Sequence, residues 1–213
     1  MKTVIIDYGS GNLRSAEKST IRAARNLDMN VSVTSNPEEV IAADRIILPG
    51  VGAFADCMSG LISLDGMREA LEETVINNGK PFLGICVGMQ LLANGGVEHG
   101  KTDGFGWIEG SVEKISNCST PDLKVPHMGW NDLVLDKPSH PILDEIKNGD
   151  HAYFVHSYHY KVKDEDELLA HVNYGGSIAA VIGRDNIVGT QFHPEKSQGV
   201  GLKIIENFLK WSP

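Results

Sequence analysis

Cys86 stands in the segment Gly84-Ile85-Cys86-Val87-Gly88, between an apolar run and a stretch with helical spacing. The flanking glycines let a strand and a helix approach closely around a tight, strained turn, the arrangement of a nucleophile elbow. Such a turn pushes the cysteine out at the carboxyl end of a sheet, where open α/β folds bind ligands. The helix start that follows favours a thiolate and leaves the Val87 N–H free to donate to an oxyanion. A buried structural cysteine is the plainer alternative for any lone Cys. The glycines on both sides favour the nucleophile, and Cys57 and Cys118, which lack such a setting, read as structural.

A nucleophilic thiol needs a base and a group that orients the base. The segment Gln191-Phe192-His193-Pro194-Glu195-Lys196-Ser197 offers both. Pro194 disfavours the α region at His193 and keeps the chain extended there. In an extended chain residues i and i+2 face the same side. His193 and Glu195 then lie together, the carboxylate fixing the imidazole and stabilising its charged form. Alone, His-Pro-Glu fits a surface turn equally well, and the chain has 8 histidines in all. Joined to the Cys86 elbow it becomes a catalytic set.

The elements that must position these residues alternate, short apolar runs with longer helical ones, which argues for an α/β fold with a largely parallel sheet. Strands are expected over Thr3–Asp7, Val31–Thr34, Arg45–Leu48 and Pro81–Ile85. Helices are expected over Leu13–Leu27, over Phe54–Asn77 with a break near Asp65-Gly66, and from Val87 to Ala93. Beyond about residue 105 the texture turns to strands joined by short turns. These are Ser111–Ile115, Asn131–Leu135, Ala152–Tyr160, Leu168–Tyr174, Ile178–Ile182 and Ile187–Phe192. Gly199–Trp211 reads as a closing amphipathic helix. Antiparallel strands of the second half are expected to extend or flank the first-half sheet, within one domain spanning 1–213.

Composition narrows the partners. The 213 residues carry a formal net charge of −9, which argues against duplex nucleic acid. The basic run Arg14, Lys18, Arg22 and Arg25 fits a solvated helix face as well as an acidic partner. Three cysteines without metal-ligand spacing point to a reducing cytoplasm. No apolar run is long enough for a membrane span. His151, His156 and His159 have no carboxylate or cysteine to complete a metal set, so no metal or cofactor is expected. The turn Gly9-Ser10-Gly11-Asn12 hints at dinucleotide binding, but Arg14 stands where a third glycine belongs.

The order Cys, then His-x-Glu, resembles the class I (triad) glutamine amidotransferases, and the resemblance covers essentially the whole chain. It rests also on Asp7-Tyr8-Gly9-Ser10-Gly11-Asn12-Leu13, Leu48-Pro49-Gly50-Val51-Gly52-Ala53-Phe54 and Gly84 to Leu92. Pro126-His127-Met128-Gly129-Trp130-Asn131 and Tyr153-Phe154-Val155-His156-Ser157-Tyr158 complete it. Pro-Gly-Val-Gly and Pro-His-Met-Gly-Trp-Asn select the branch that feeds a cyclase in histidine biosynthesis. One departure is Val87, where leucine is more usual; its N–H is unchanged.

The resemblance implies a flavodoxin-like three-layer sandwich and a glutaminase with glutamine as substrate. Cys86 would be the nucleophile, His193 the base and Glu195 its orienting group. Oxyanion donors would be the N–H of Val87 and, after a peptide flip, of Val51. Gly52, Gln90, Ser157 and Tyr158 would hold glutamine, and Asn12, Trp130, Asn131 and Lys196 would face a (β/α)8 cyclase subunit in a heterodimer. Without the resemblance, Pro49–Gly52 reads as a strand-ending turn, Gln90 fits a solvated helix position and Trp130 fits a core aromatic. A free-standing cysteine hydrolase and a paralogue serving another acceptor are the rival activities; a decayed, non-catalytic binding module is a third reading.

Overall fold

The computed structural model describes residues 1–116 and 123–213, so Cys118 lies outside the described residues. The first half runs β1 (Lys2–Ile6), α1 (Leu13–Ala23), β2 (Asn30–Thr34), α2 (Pro37–Ile41) and β3 (Arg45–Gly50). It continues through α3 (Phe54–Ile62) and α4 (Met67–Leu71), which passes into a π-helical turn over Glu72–Asn77. Then come β4 (Phe82–Cys86) and the short α5 (Val87–Gln90). The second half holds β5 (Gly95–Gly96), β6 (Thr102–Asp103), β7 (Gly110–Lys114), β8 (His127–Asp132) and β9 (Val134–Leu135). It ends with β10 (His151–His156), β11 (Tyr158–Val162), β12 (Leu168–Asn173), β13 (Ser177–Arg184), β14 (Ile187–Thr190) and α6 (Gln198–Lys210).

An 8-stranded sheet in the order β2-β1-β3-β4-β14-β13-β12-β9 forms the centre. Its first five strands are parallel, the rest antiparallel, as the two textures of the sequence predict. The parallel part has the flavodoxin-like order, with its reversal between β1 and β3. β3 and β4 are buried at every residue, as strands covered on both faces should be. The helices pack in groups, α1 against α6, and α2 and α3 against α4. Two small sheets, β10-β8 and β11-β7-β5-β6, stand beside the main one.

Several boundaries differ from expectation, each for a local reason. α1 ends at Ala23 rather than Leu27, where Asn26 and Asp28 disfavour continuation. α2 was not expected, yet Asn36 caps it by accepting from the Glu38 N–H at 2.9 Å and Pro37 opens it. The expected strand Ala152–Tyr160 is two strands that part at Ser157, because β10 pairs with β8 while β11 pairs with β7. Strand Asn131–Leu135 likewise divides into β8, which starts earlier at His127, and β9.

One of the closest approaches among the described residues joins α5 to β3. A Cβ at Gly88 would lie 1.9 Å from Leu48 O, and one at Gly84 would lie 2.6 Å from Gly88 O. Both obstacles are backbone and cannot swing aside. Gly88→Ala is therefore expected to lower stability by about 3 kcal/mol or more, beyond ordinary overpacking. Urea unfolding checks this: the midpoint should fall with an unchanged slope, and a variant as stable as the wild type would contradict the close approach.

Candidate active site

Sheet register brings the distant motifs together. β4 lies between β3 and β14, with Gly50 opposite Cys86 on one side and Thr190 opposite Ile85 on the other. One residue further along, Gln191 falls beside Cys86, and His193 follows two residues later. On the opposite flank Val51 and Gly52 follow Gly50. Parallel pairing thus delivers all three segments to one carboxyl edge.

Cys86 sits at φ 54° and ψ −111°, a backbone state that L residues rarely hold, and its side chain lies at the start of α5. That is the strained elbow the glycines predict. α5 is only 4 residues long, so its dipole gives the thiol less than a full helix would. The stronger electrostatic partner is His193. Its Nδ1 lies 2.8 Å from Glu195 Oε1, with both side chains 2% exposed. Burial alone would lower the imidazolium's pKa, but hydrogen bonds to Cys86 and Glu195, and their negative charges, raise it to about 9. With Nδ1 engaged by Glu195, Nε2 is the nitrogen that faces the thiol.

A cleft of about 450 Å³ opens over Cys86. Val51, Gly52, Val87, Gln90, Ser157, Tyr158, His193 and Lys196, each singled out from sequence, line it. Gly52 has φ +104°, where a side chain would be strained. Gln90 is not a solvated helix residue: it is 3% exposed, and its Nε2 donates to Tyr158 O and Gln191 Oε1, both at 3.0 Å. Tyr8 Oη donates to Pro49 O at 2.8 Å and Cys57 Sγ to Val51 O at 3.4 Å, so Pro49–Gly52 is more than a free turn.

Some residues of the site escaped sequence reasoning. Gln191 Nε2 donates to Cys86 Sγ at 3.7 Å; being the first residue of the Gln-Phe-His-Pro-Glu run was its only signal. Glu98 lines the cleft while its Oε2 accepts from the Phe54 N–H at 2.9 Å, and nothing in its neighbourhood marks it. Ser197 Oγ accepts from the Tyr153 N–H at 3.0 Å and donates to His193 O at 2.7 Å, fastening β10 to the histidine turn. Among the described residues, no group of three or more His, Cys, Asp or Glu is placed to hold a metal ion. No helix among them is long and apolar enough to cross a membrane.

Beside the cleft, β8 presents an open face. Met128 is 67% and Trp130 47% exposed. Trp130 meets Tyr153 edge to face at 5.8 Å, and Lys196 Nζ lies 6.0 Å from the centre of the same ring. Trp130 is thus not a core aromatic. Asn131 is partly covered by its bonds to His127 and Asn173. Asn12, at the start of α1, belongs to a turn whose Gly11 packs on Pro49, where a Cβ would lie 3.3 Å from Pro49 Cγ.

The chain belongs to the class I glutamine amidotransferase family and, within it, to the HisH subunits of imidazole glycerol phosphate synthase. The family pattern, glutamine amidotransferase class-I, matches residues 4–211. Imidazole glycerol phosphate synthase subunit HisH of Cereibacter sphaeroides is 57% identical over 214 residues, covering 100% of both chains. The subunit HisH of Rhodospirillum rubrum is 57% identical over 215 residues, with the same complete coverage. Among solved structures, a glutamine amidotransferase matches with a TM-score of 0.70 at 18% identity, covering 97% of each chain. The glutaminase domain of Trypanosoma brucei CTPS, with bound acivicin, matches at 0.69 and 15% identity over 100% of this chain and 95% of that one. These structures bear on the fold alone, which is that of the class.

The His193 value carries a pH signature. It lies above the 6.5 of a free imidazole, so the stabilisation it brings is complete below about 6.5 and is lost as pH rises through about 9. Glu195→Gln removes one of the groups that raise it. The His193 titration, followed by NMR, is expected to shift about one pH unit or more downward in that variant. An unshifted titration would show that the carboxylate has no electrostatic hold on the ring.

Proposed function

We propose that this chain is the glutaminase subunit of an imidazole glycerol phosphate synthase, hydrolysing glutamine and passing the ammonia to a cyclase subunit. The observation that carries the reading is the conjunction at one cleft: a strained Cys86 elbow beside a buried His193–Glu195 pair at 2.8 Å. The names of the full-length relatives point the same way and favour this acceptor over a paralogue's.

Cys86 Sγ, whose proton already resides on His193 Nε2, attacks the side-chain carbonyl carbon of glutamine. The resulting oxyanion is met by the N–H of Val87 and, once its peptide turns, of Val51. As the C–N bond breaks, His193 returns the proton to the leaving nitrogen, releasing ammonia and leaving a thioester. Water then attacks that thioester, giving up a proton to His193, and glutamate departs as the sulfur is expelled and the resting Cys86–His193 pair is restored. Glu195 holds the ring in the tautomer that all these transfers need. Gly52, Ser157 and Tyr158 hold glutamine by backbone, Gln90 buttresses that wall, and Glu98 supplies a carboxylate for the α-ammonium.

The partner is a (β/α)8 cyclase in a heterodimer. Its docking face is Asn12, Trp130, Asn131 and Lys196, where an exposed tryptophan beside a tyrosine and a lysine forms the kind of cluster that anchors interfaces. Ammonia and glutamate release should be measured for the chain alone and with a cyclase subunit plus its nucleotide substrate. A ligand-dependent rise is expected, and Cys86→Ala should reduce it at least about a thousandfold. Strong activity of the chain alone on varied amides would instead indicate a free hydrolase.

Trp130→Ala is expected to weaken cyclase binding by about 2 kcal/mol, near thirtyfold in Kd. Calorimetric titration decides it, and an unchanged Kd would move the docking face elsewhere.

A further inference from the structure

A chain of polar groups runs unbroken from the open face of β8 to Cys86, and its two ends dictate every hydrogen position between them. At the outer end the Asn131 amide is oriented by backbone. The Asp132 N–H donates to its Oδ1 at 2.8 Å, and its Nδ2 donates to Asn173 O at 3.3 Å. The same Nδ2 lies 3.2 Å from His127 Nε2, which must therefore accept. At the inner end His156 Nδ1 lies 2.8 Å from Tyr158 O. A carbonyl only accepts, so Nδ1 carries the His156 proton and Nε2 is bare. His127 Nδ1, 3.0 Å away, fills that acceptor.

Both rings are thus forced into the same tautomer, and protonating either would set donor against donor. Their surroundings agree. His127 is stacked between Phe154 at 4.8 Å and Tyr174 at 3.9 Å. Burial pushes His127 down to about 4. It pushes His156 down to about 3, against the pull of its bond to Tyr158. Beyond the histidines the chain continues inward. Tyr158 O also accepts from Gln90 Nε2, which donates to Gln191 Oε1, whose Nε2 reaches Cys86 Sγ.

We propose that His127 and His156 are positioning residues, both neutral and protonated on Nδ1, that hold the Tyr158 carbonyl and tie the Ser157–Tyr158 wall to the Trp130–Asn131 face. The inference rests on the glutaminase reading for what the wall binds, but the tautomers stand independently of it. His127 is not among the residues lining the cleft, so it acts only through His156. Without the pair, the Tyr158 carbonyl keeps Gln90 as its only side-chain donor among the described residues.

Two measurements on the full chain and its cyclase complex test this. Long-range ¹H–¹⁵N NMR should find Nδ1 protonated and Nε2 bare in both rings, unchanged between about pH 8 and about pH 5.5. An Nε2–H signature in either ring, or titration within that range, would overturn the assignment. In the complex, His127→Phe keeps an aromatic ring in the stack but breaks the chain. It should raise KM for glutamine about tenfold, with kcat changed less than about threefold. His156→Asn preserves a donor to Tyr158 O and should stay within about threefold of wild-type KM, whereas His156→Leu should lose about tenfold or more. Equal KM in the asparagine and leucine variants, both folded by circular dichroism, would refute the positioning role. A wild-type complex without glutaminase activity would remove the function and this coupling together, while the NMR result would still stand.

Discussion

At the carboxyl edge of the sheet, α5 crosses β3 with no room for a side chain at position 88, where a Cβ would fall 1.9 Å from Leu48 O. Gly50 and Gly84 make room from the other sides of the same crossing. This closeness bends the chain at Cys86 into its strained φ of 54° and presents the thiol at the sheet's edge. A looser contact would let the chain relax into an ordinary turn and draw the sulfur back. The strain is sustained because the strands on both sides of β4 are fully buried and paired. The exposure of the proposed nucleophile therefore depends on a steric exclusion at the carboxyl edge of the sheet.

The same residue type serves in opposite electrical states within this small region. His193 is buried beside Glu195 and Cys86, and it holds its proton up to about 9. His127 and His156 are buried among aromatic rings, amides and a carbonyl, and they refuse a second proton down to about 4 and about 3. Desolvation disfavours charge in all three; only His193 has nearby anions strong enough to reverse it. One ring is thus kept charged while two others are kept neutral, so the proposed proton-transfer site would lie close to a hydrogen-bonded chain that does not titrate with it.

What could be read in advance follows a physical pattern. Local rules sufficed for Cys86, whose flanking glycines announce the elbow, and for His193 and Glu195, whose spacing across Pro194 places them on one side. The parallel strands were equally plain, β1 as a β-branched run and β3 and β4 as short apolar runs, each ended by a turn. Residues whose task is defined by distant partners left no such trace. Gln191 is next to Cys86 only because β14 pairs with β4, and Glu98 reaches the cleft only by capping α3 from 44 residues away. The division of 152–160 into two strands was hidden too. Its residues form one aromatic-rich run with no Gly or Pro to interrupt it, and only the identity of the partner strands separates them.

That division has a consequence for how the cleft behaves. Ser157 is the single residue between β10 and β11, whose partners belong to separate small sheets. Its carbonyl accepts from the Ile115 N–H, just beyond β7, at 2.9 Å. A tilt of the β8–β10 ribbon relative to β7 and β11 would bear on the peptides at this joint, and those peptides form one side of the cleft. The width of the cleft is thus tied to the angle between two small sheets, and a shift of the ribbon would be felt at an opening far from it in sequence.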